Sequence, residues 1–221
     1  MSTNSESVEM YLKSVAELGG ATCPVAISRV AERMGVSSVS ANEMMKRLET
    51  QAFITHQPYK GVVLTENGRS VANNVIRRQR LWECFLVDHL ALDWGTAHDL
   101  ACNLEHATTN LLSNALADYL DQPETAPYGS PIPGQTIEAA QKSLVSLNQL
   151  QPGENGRIQA IKPENSEILN YFQTRAIKPG LMVTVLEAAP LHGPLTIQIN
   201  AQQLALGLNL AALILVERTN Q

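Results

Sequence analysis

The sequence predicts a mainly α protein that opens on a winged helix-turn-helix and closes on a small β domain. Three observations carry this. Apolar residues recur at helical spacing from Val8 onward. The stretch Gln122 to Gly134 then places four prolines and two glycines in thirteen residues, which neither a regular helix nor a central strand accommodates. After a second punctuated stretch, Gln151 to Gly156, the pattern changes to short β-like runs such as Leu181 to Leu186 and Leu195 to Ile199, separated by Pro-Gly and Gly-Pro turns. The chain divides on this reading into residues 1–75, 76–148 and 149–221.

Val8, Tyr11, Leu12, Val15 and Leu18 form one helical stripe, and Met10 falls roughly opposite it. Pro24 opens a second helix through Ile27, Val30, Ala31 and Met34. Gly35 breaks it, and Ser37 with Ser38 caps a third through Ala41, Met44, Met45 and Leu48. Two helices joined by a tight Gly-containing turn make a helix-turn-helix. Phe53 to Gln57 and Val62 to Thr65 read as a hairpin, the wing, around Pro58 to Gly61. The third helix would expose Ser37, Ser38, Ser40, Asn42, Glu43, Lys46 and Arg47 to base edges and phosphates, with Lys60 at the wing tip reaching a phosphate. The same residues also suit an ordinary solvated helix, since helix-turn-helix units occur in proteins that bind no DNA.

The chain has 221 residues, 44% hydrophobic and 17% charged, which suffices for a buried core. Its formal net charge of −5 is uneven. Residues 1–75 balance seven basic against seven acidic side chains, whereas residues 76–148 hold four against nine, so the middle third welcomes cations and a basic face remains available in the first. The N-terminal stretch lacks the pattern of a secretory signal, and the longest apolar run, Leu204 to Val216, is interrupted by Asn209. These features predict a soluble cytoplasmic protein without a membrane partner. Three cysteines, Cys23, Cys84 and Cys102, with no CxxC pair, argue for reduced thiols rather than a disulfide framework.

The most informative stretch is Thr96 to Ala107. On a helix, His98, Cys102, Glu105 and His106 share one arc of about 100°. Upstream, Gln79 and Glu83 form another i, i+4 pair in a long helix from Glu66 to about Leu90, and Met10 offers a thioether. Thiolate, thioether, imidazole and carboxylate together suit Fe(II), Co(II), Ni(II) or Zn(II) better than Mg or Ca. Taken singly, Cys102 reads as a small buried hydrophobe, either histidine as a satisfied surface residue and Met10 as a surface methionine. It is the convergence on one face that points to a metal.

The residues resemble the iron-dependent repressors of the diphtheria-toxin-repressor family. The resemblance runs through Glu9 to Leu12, Arg47 to Glu49, Leu64 to Arg69, His98 to Cys102, Glu105 with His106, and Tyr128 to Gly134, and continues in Gly156 to Ile158, Glu167 to Leu169, Ile177 to Gly180 and Ala212 to Val216. It implies a winged-helix DNA-binding domain over 1–75, a helical dimerisation and metal-binding domain over 76–148 and an SH3-like barrel over 149–221. It also implies a homodimer on double-stranded operator DNA with a divalent metal ion as corepressor, and no enzymatic activity. Carried over by position, the primary metal site falls on Met10, Cys102, Glu105 and His106, and the ancillary site on Gln79, Glu83 and His98 with Glu164 and Glu167. The Met-plus-Cys set resembles the iron-responsive branch, so Fe(II) is the implied metal, with Mn(II), Co(II), Ni(II) or Zn(II) as alternatives. Gln79 departs from the usual histidine at the ancillary site, and Val39, Asn42 and Glu43 depart in the third helix, so the operator sequence does not carry over with the resemblance. The implied mechanism has ligands that stay loosely docked until metal draws the Met10 helix and the Cys102 helix together. Two rivals stand beside it. A regulator sensing manganese, a small organic ligand or thiol oxidation at Cys102 would keep the helix-turn-helix, while a metalloenzyme would need an HExxH spacing that the ligand face lacks.

Overall fold

The computed structural model describes residues 5–134, 144–162 and 165–219. Grouped by packing, the chain forms two compact units, Met1–Arg78 with Glu105–Thr108, and Gln79–Leu104 with Thr109–Gln221. No helix of the described residues is long and apolar enough to cross a membrane.

The first unit is a winged helix-turn-helix. Helix α1 (Glu6–Val15) starts where the Ser5 side chain accepts from Val8 N–H, and continues through a π-helical turn at Ala16–Gly20. Helix α2 (Ile27–Met34) ends on Gly35, whose φ of 64° is the left-handed cap that lets the chain turn into α3 (Ser38–Thr50). Ser37 caps α3 by accepting from Ser40 N–H at 3.1 Å. Strands β1 (Ile54–Gln57) and β2 (Gly61–Leu64) form the antiparallel wing. Val8, Leu12, Val15, Val30, Ala41, Met45, Leu48, Ile54 and Val62 close a single core, so α1 and α3 share packing.

The expectation that Pro24 opens α2 needs correction. Val25 N–H and C=O both bond to Val62 at 2.9 Å, adding a third short rung to the wing, and the helix begins only at Ile27. The backbone of Val25 passes so close to Gly61, at φ 118°, that a Cβ there would collide with its carbonyl.

Helix α4 (Glu66–Asp88) opens where Thr65 Oγ1 accepts from Gly68 N–H. Helices α5 (Trp94–Ala107) and α6 (Asn110–Tyr119) follow. The proline-rich stretch after α6 is irregular and buries Ala126, Tyr128 and Ile132. Beyond it, six antiparallel strands take the order β3-β8-β4-β5-β6-β7: β3 (Leu144–Ser146), β4 (Asn155–Ile161), β5 (Met182–Ala188), β6 (Leu195–Ile199), β7 (Gln202–Leu206) and β8 (Ile214–Arg218). Register breaks in β4 at Ile158/Ala160 and in β5 at Val185/Glu187 bend the sheet about its core, as bulges do. This is the small SH3-like β domain.

Two helices interrupt the strands, α7 (Ser166–Thr174) and the short α8 (Leu208–Ala211). Helix α7 matters for α5. Its Gln173 Oε1 accepts from Trp94 N–H at 2.7 Å and its Asn170 Oδ1 from Gly95 N–H at 2.8 Å, so α7 caps the first turn of α5. A Cβ on Gly95 would collide with Asn170 and the Ser166 carbonyl.

Candidate metal centre

The arc predicted on α5 is helical, and its two halves find different partners. His98 and Cys102 belong to the second unit, Glu105 and His106 to the first.

In the first unit, Glu105 is fully buried and chelates an ammonium, with Lys13 Nζ lying 2.8 Å from both Oε1 and Oε2. Lys13 is itself 6% exposed. Burial raises the Glu105 pKa, opposed by the charges of Lys13 and His106 and reinforced by Glu17. His106 Nδ1 lies 2.8 Å from Glu9 Oε2, and Arg78 Nη1 lies 3.6 Å from the other Glu9 oxygen. His106 Nε2 is 3.3 Å from Glu105 Oε1, yet it is buried with no hydrogen-bond partner among the described residues. Met10 is half-buried on the same helix as Glu9 and Lys13. The end of α5 is therefore tied to α1 by the Lys13–Glu105 ion pair and by the contact of His106 with Glu9. That is tighter than the loose docking expected of ligands awaiting a metal, because a tethered cation already neutralises the buried carboxylate.

In the second unit, Gln79 and Glu83 from α4 meet His98 and Cys102 from α5. His98 Nδ1 lies 2.8 Å from Glu83 Oε1 and 3.2 Å from Gln79 Nε2. Gln79 Nε2 donates to Cys102 Sγ at 3.2 Å, and His98 Nε2 is 3.9 Å from that sulfur. Burial pulls the His98 pKa down, but the contacts with Cys102 and Glu83 outweigh it and raise the value to about 10. Glu83 Oε2 is buried without a hydrogen-bond partner among the described residues. Tyr128 sits beside it, its hydroxyl pKa pushed far up by burial and by the Glu83 charge. Gln79 is only 3% exposed, so it is no surface helix residue. The neighbouring Cys84 is a different kind of thiol, pushed up to about 12 by burial and by Asp88 and Glu83, hence inert at neutral pH.

Among the described residues, no group of three or more His, Cys, Asp and Glu is disposed to hold a metal ion. The donors nevertheless fit a divalent transition metal. His106 Nε2 on α5 and Glu83 Oε2 on α4 are buried without hydrogen-bond partners among the described residues, α5 also carries the Cys102 thiol, and α1 carries the Met10 thioether. Glu164 lies outside the described residues, and Glu167 is exposed in the first turn of α7.

On α3, Ser37, Ser38, Ser40, Asn42, Glu43, Lys46 and Arg47 are all exposed, as is Lys60 at the wing tip. Ser37 is engaged in capping, and the Asn42 amide donates to Ser38 C=O at 2.7 Å. Val39 is 69% exposed among them, an apolar group able to meet a thymine methyl. Sequence reasoning missed Lys13, Glu9 and Tyr128 as partners of the ligand set. Only the offset of Lys13 from the α1 stripe sets it apart in the sequence, and an offset lysine ordinarily means solvent.

Three family descriptions match the chain: "Iron dependent repressor, N-terminal DNA binding domain" over residues 4–62, "Iron dependent repressor, metal binding and dimerisation domain" over 65–134, and "FeoA domain" over 145–218. Diphtheria toxin repressor of Corynebacterium jeikeium is 33% identical over 129 residues, 58% of this chain and 54% of its own length, so this chain spans little more than half of that relative. Iron-dependent repressor IdeR of Mycobacterium leprae is 28% identical over 197 residues, covering 84% of this chain and 85% of that one. A solved manganese-dependent transcriptional repressor in complex with manganese superposes with a TM-score of 0.86 at 30% identity, covering 96% of this chain and all of that one.

Proposed function

We propose, from the premise that this chain belongs to the iron-dependent repressor family typified by diphtheria toxin repressor, that it is a metal-dependent transcriptional repressor which binds operator DNA as a homodimer in the cytoplasm. The observation that carries the reading is the coincidence of an exposed helix-turn-helix with a buried Cys/His/Glu donor set on α5 in a chain of this family. The three matched family segments support a division into DNA-binding, dimerisation and metal-binding, and SH3-like parts close to 1–75, 76–148 and 149–221. As a regulator the protein needs no nucleophile and base.

Met10, Cys102, Glu105 and His106 are the proposed holders of the regulatory ion, and Gln79, Glu83 and His98, with Glu164 and Glu167, of a weaker ancillary one. A bound divalent ion would supply positive charge to a buried thiolate and carboxylate. The relatives' names cite both iron and manganese. The thiol and thioether favour Fe(II), because manganese prefers an all-oxygen and nitrogen set; Co(II), Ni(II) and Zn(II) suit the same donors.

Within the first unit the path from site to DNA is short. Glu9, Met10 and Lys13 lie on α1, whose buried face packs in one core with α2 and α3. A change in what grips α1 is thereby passed to the exposed face of α3. Lys46, Arg47 and Lys60 then position the helix on phosphates, while Ser38, Ser40, Asn42, Glu43 and Val39 face the bases. A fluorescence-anisotropy titration of genomic operator candidates with Fe(II), Mn(II), Zn(II) and excess chelator tests the reading. Metal-dependent binding in reducing buffer is expected, and equal affinity with chelator and with saturating Fe(II) would overturn it.

A further inference from the structure

We propose that Lys13 is a tethered stand-in for the regulatory cation: its ammonium grips the Glu105 carboxylate until metal arrives, must leave for metal to bind, and so sets the metal concentration at which the repressor responds. The inference rests on the assignment of Glu105 as a metal ligand.

Geometry is the first support. Lys13 Nζ lies 2.8 Å from Glu105 Oε1 and 2.8 Å from Oε2. A single cation equidistant from both oxygens of one carboxylate takes the position of a chelated ion, whereas an exposed lysine pair generally uses one oxygen and water for the rest. Both groups are shielded from bulk solvent, since Glu105 is fully buried and the Lys13 side chain is 7% exposed. The two residues are 92 positions apart, so this is no helix-surface i, i+4 pair.

Charge is the second. The Lys13 and Glu105 pair is neutral. A divalent ion on the Glu105 carboxylate needs the place between the two oxygens that the ammonium holds, and two cations crowded on one buried carboxylate repel each other, so the lysine is displaced. Two features make expulsion feasible. The four-carbon stem of a lysine swings its head to solvent without moving the backbone. Glu17 stands one turn further along from Lys13, close enough to act on the charge of Glu105. It is partly exposed in its pair with Arg33 and offers a second carboxylate for the released ammonium.

The arrangement also explains why α1 is fastened to residues 105–108 by an ion pair without recourse to metal. A buried carboxylate needs a cation at all times, and the chain carries its own. Metal and lysine therefore compete for Glu105, and removal of the lysine should tighten metal binding while weakening the fold that metal does not stabilise.

The test is Co(II) and Zn(II) titration of the full chain by calorimetry, comparing wild type with Lys13→Met, which keeps the length of the stem and removes the charge. At least tenfold tighter binding is expected, together with a lower melting temperature under chelator. Affinity equal to or weaker than that of wild type overturns the proposal. Should Lys13→Met fail to fold, the wild-type protein with ¹³C-labelled lysine gives the answer. Its Lys13 side-chain resonance should change from an immobilised to a mobile signal as Zn(II) is added, and a resonance unmoved at saturating Zn(II) overturns the proposal. Cys102→Ala and Glu105→Gln separate the two layers. If both bind Co(II) as wild type does, the ligand assignment is wrong. If both lose it while Lys13→Met matches wild type, the assignment stands and the tethered cation alone falls.

Discussion

The two donor clusters solve the same problem differently. In one, a buried carboxylate, Glu105, is neutralised by the side-chain ammonium of Lys13; in the other, a buried carboxylate, Glu83, meets an imidazole, His98, whose contacts with Cys102 and Glu83 raise its pKa well above the usual range. The lysine lies between both oxygens of its carboxylate, the place a competing cation would take. A histidine can shed its proton, so the second cluster answers to pH. Buried acids thus force a resident cation on both, and the identity of that cation decides what can displace it.

The largest effect should come from breaking the lysine pair on its acidic side. Glu105→Ala leaves an ammonium buried without its carboxylate, and urea unfolding under chelator should show a loss of about 3–5 kcal/mol. Restoration of stability in the Glu105→Ala, Lys13→Met double variant would confirm that the loss is the orphaned charge, and a double variant as unstable as the single would contradict it.

For the histidine cluster the lever is pH. Because the His98 pKa in the fold, about 10, lies above that of a free imidazole, its contribution to stability is complete below about pH 6.5 and is lost as pH rises toward 10. Allowing for its 16% side-chain exposure, the contribution is about 2 kcal/mol. Melting temperatures from pH 6.5 to 10 should fall more steeply for wild type than for His98→Gln; parallel curves would show that the proton is not held there.

Cys102 touches the histidine cluster and is also a proposed ligand of the regulatory metal. Cys102→Ala should weaken metal-dependent operator binding at least tenfold, about 1.4 kcal/mol, as read by anisotropy in Fe(II). An unchanged midpoint would remove the thiol from the site.

The smallest change expected is at Gln79. An amide is a poorer donor for a late first-row ion than an imidazole, so Gln79→His should strengthen the weaker of two metal-binding events severalfold by calorimetry. Since the Gln79 amide also donates to Cys102 Sγ, a modest shift in the tighter event is compatible with this, whereas a shift confined to the tighter event is not.

How much of this was legible in the sequence follows from the range of the forces involved. The stripe on α1, the Gly35 turn, the Ser37 cap, the wing and the helical spacing of His98, Cys102, Glu105 and His106 are local, set by periodicity and backbone preference within a few residues. They could be read directly. The start of α2 could not, because Val25 is claimed by Val62 across the wing, and a strand rung made by a distant partner leaves no local mark. The strand runs were visible, but the order that sets β3 beside β8, with Leu144 opposite Glu217, depends on how the sheet satisfies its edges.

The candidate site divides along the same line. The sequence by itself determined which donor types stand on one helical arc, since side-chain chemistry and a 3.6-residue turn require nothing else. Only the tertiary structure decided that Gln79 is buried against Cys102, that α7 caps the ligand helix, and that Lys13 belongs to Glu105 rather than to solvent. A buried charge takes as its partner whichever opposite charge folding brings to it, and no spacing along the chain encodes a meeting between residues 92 positions apart.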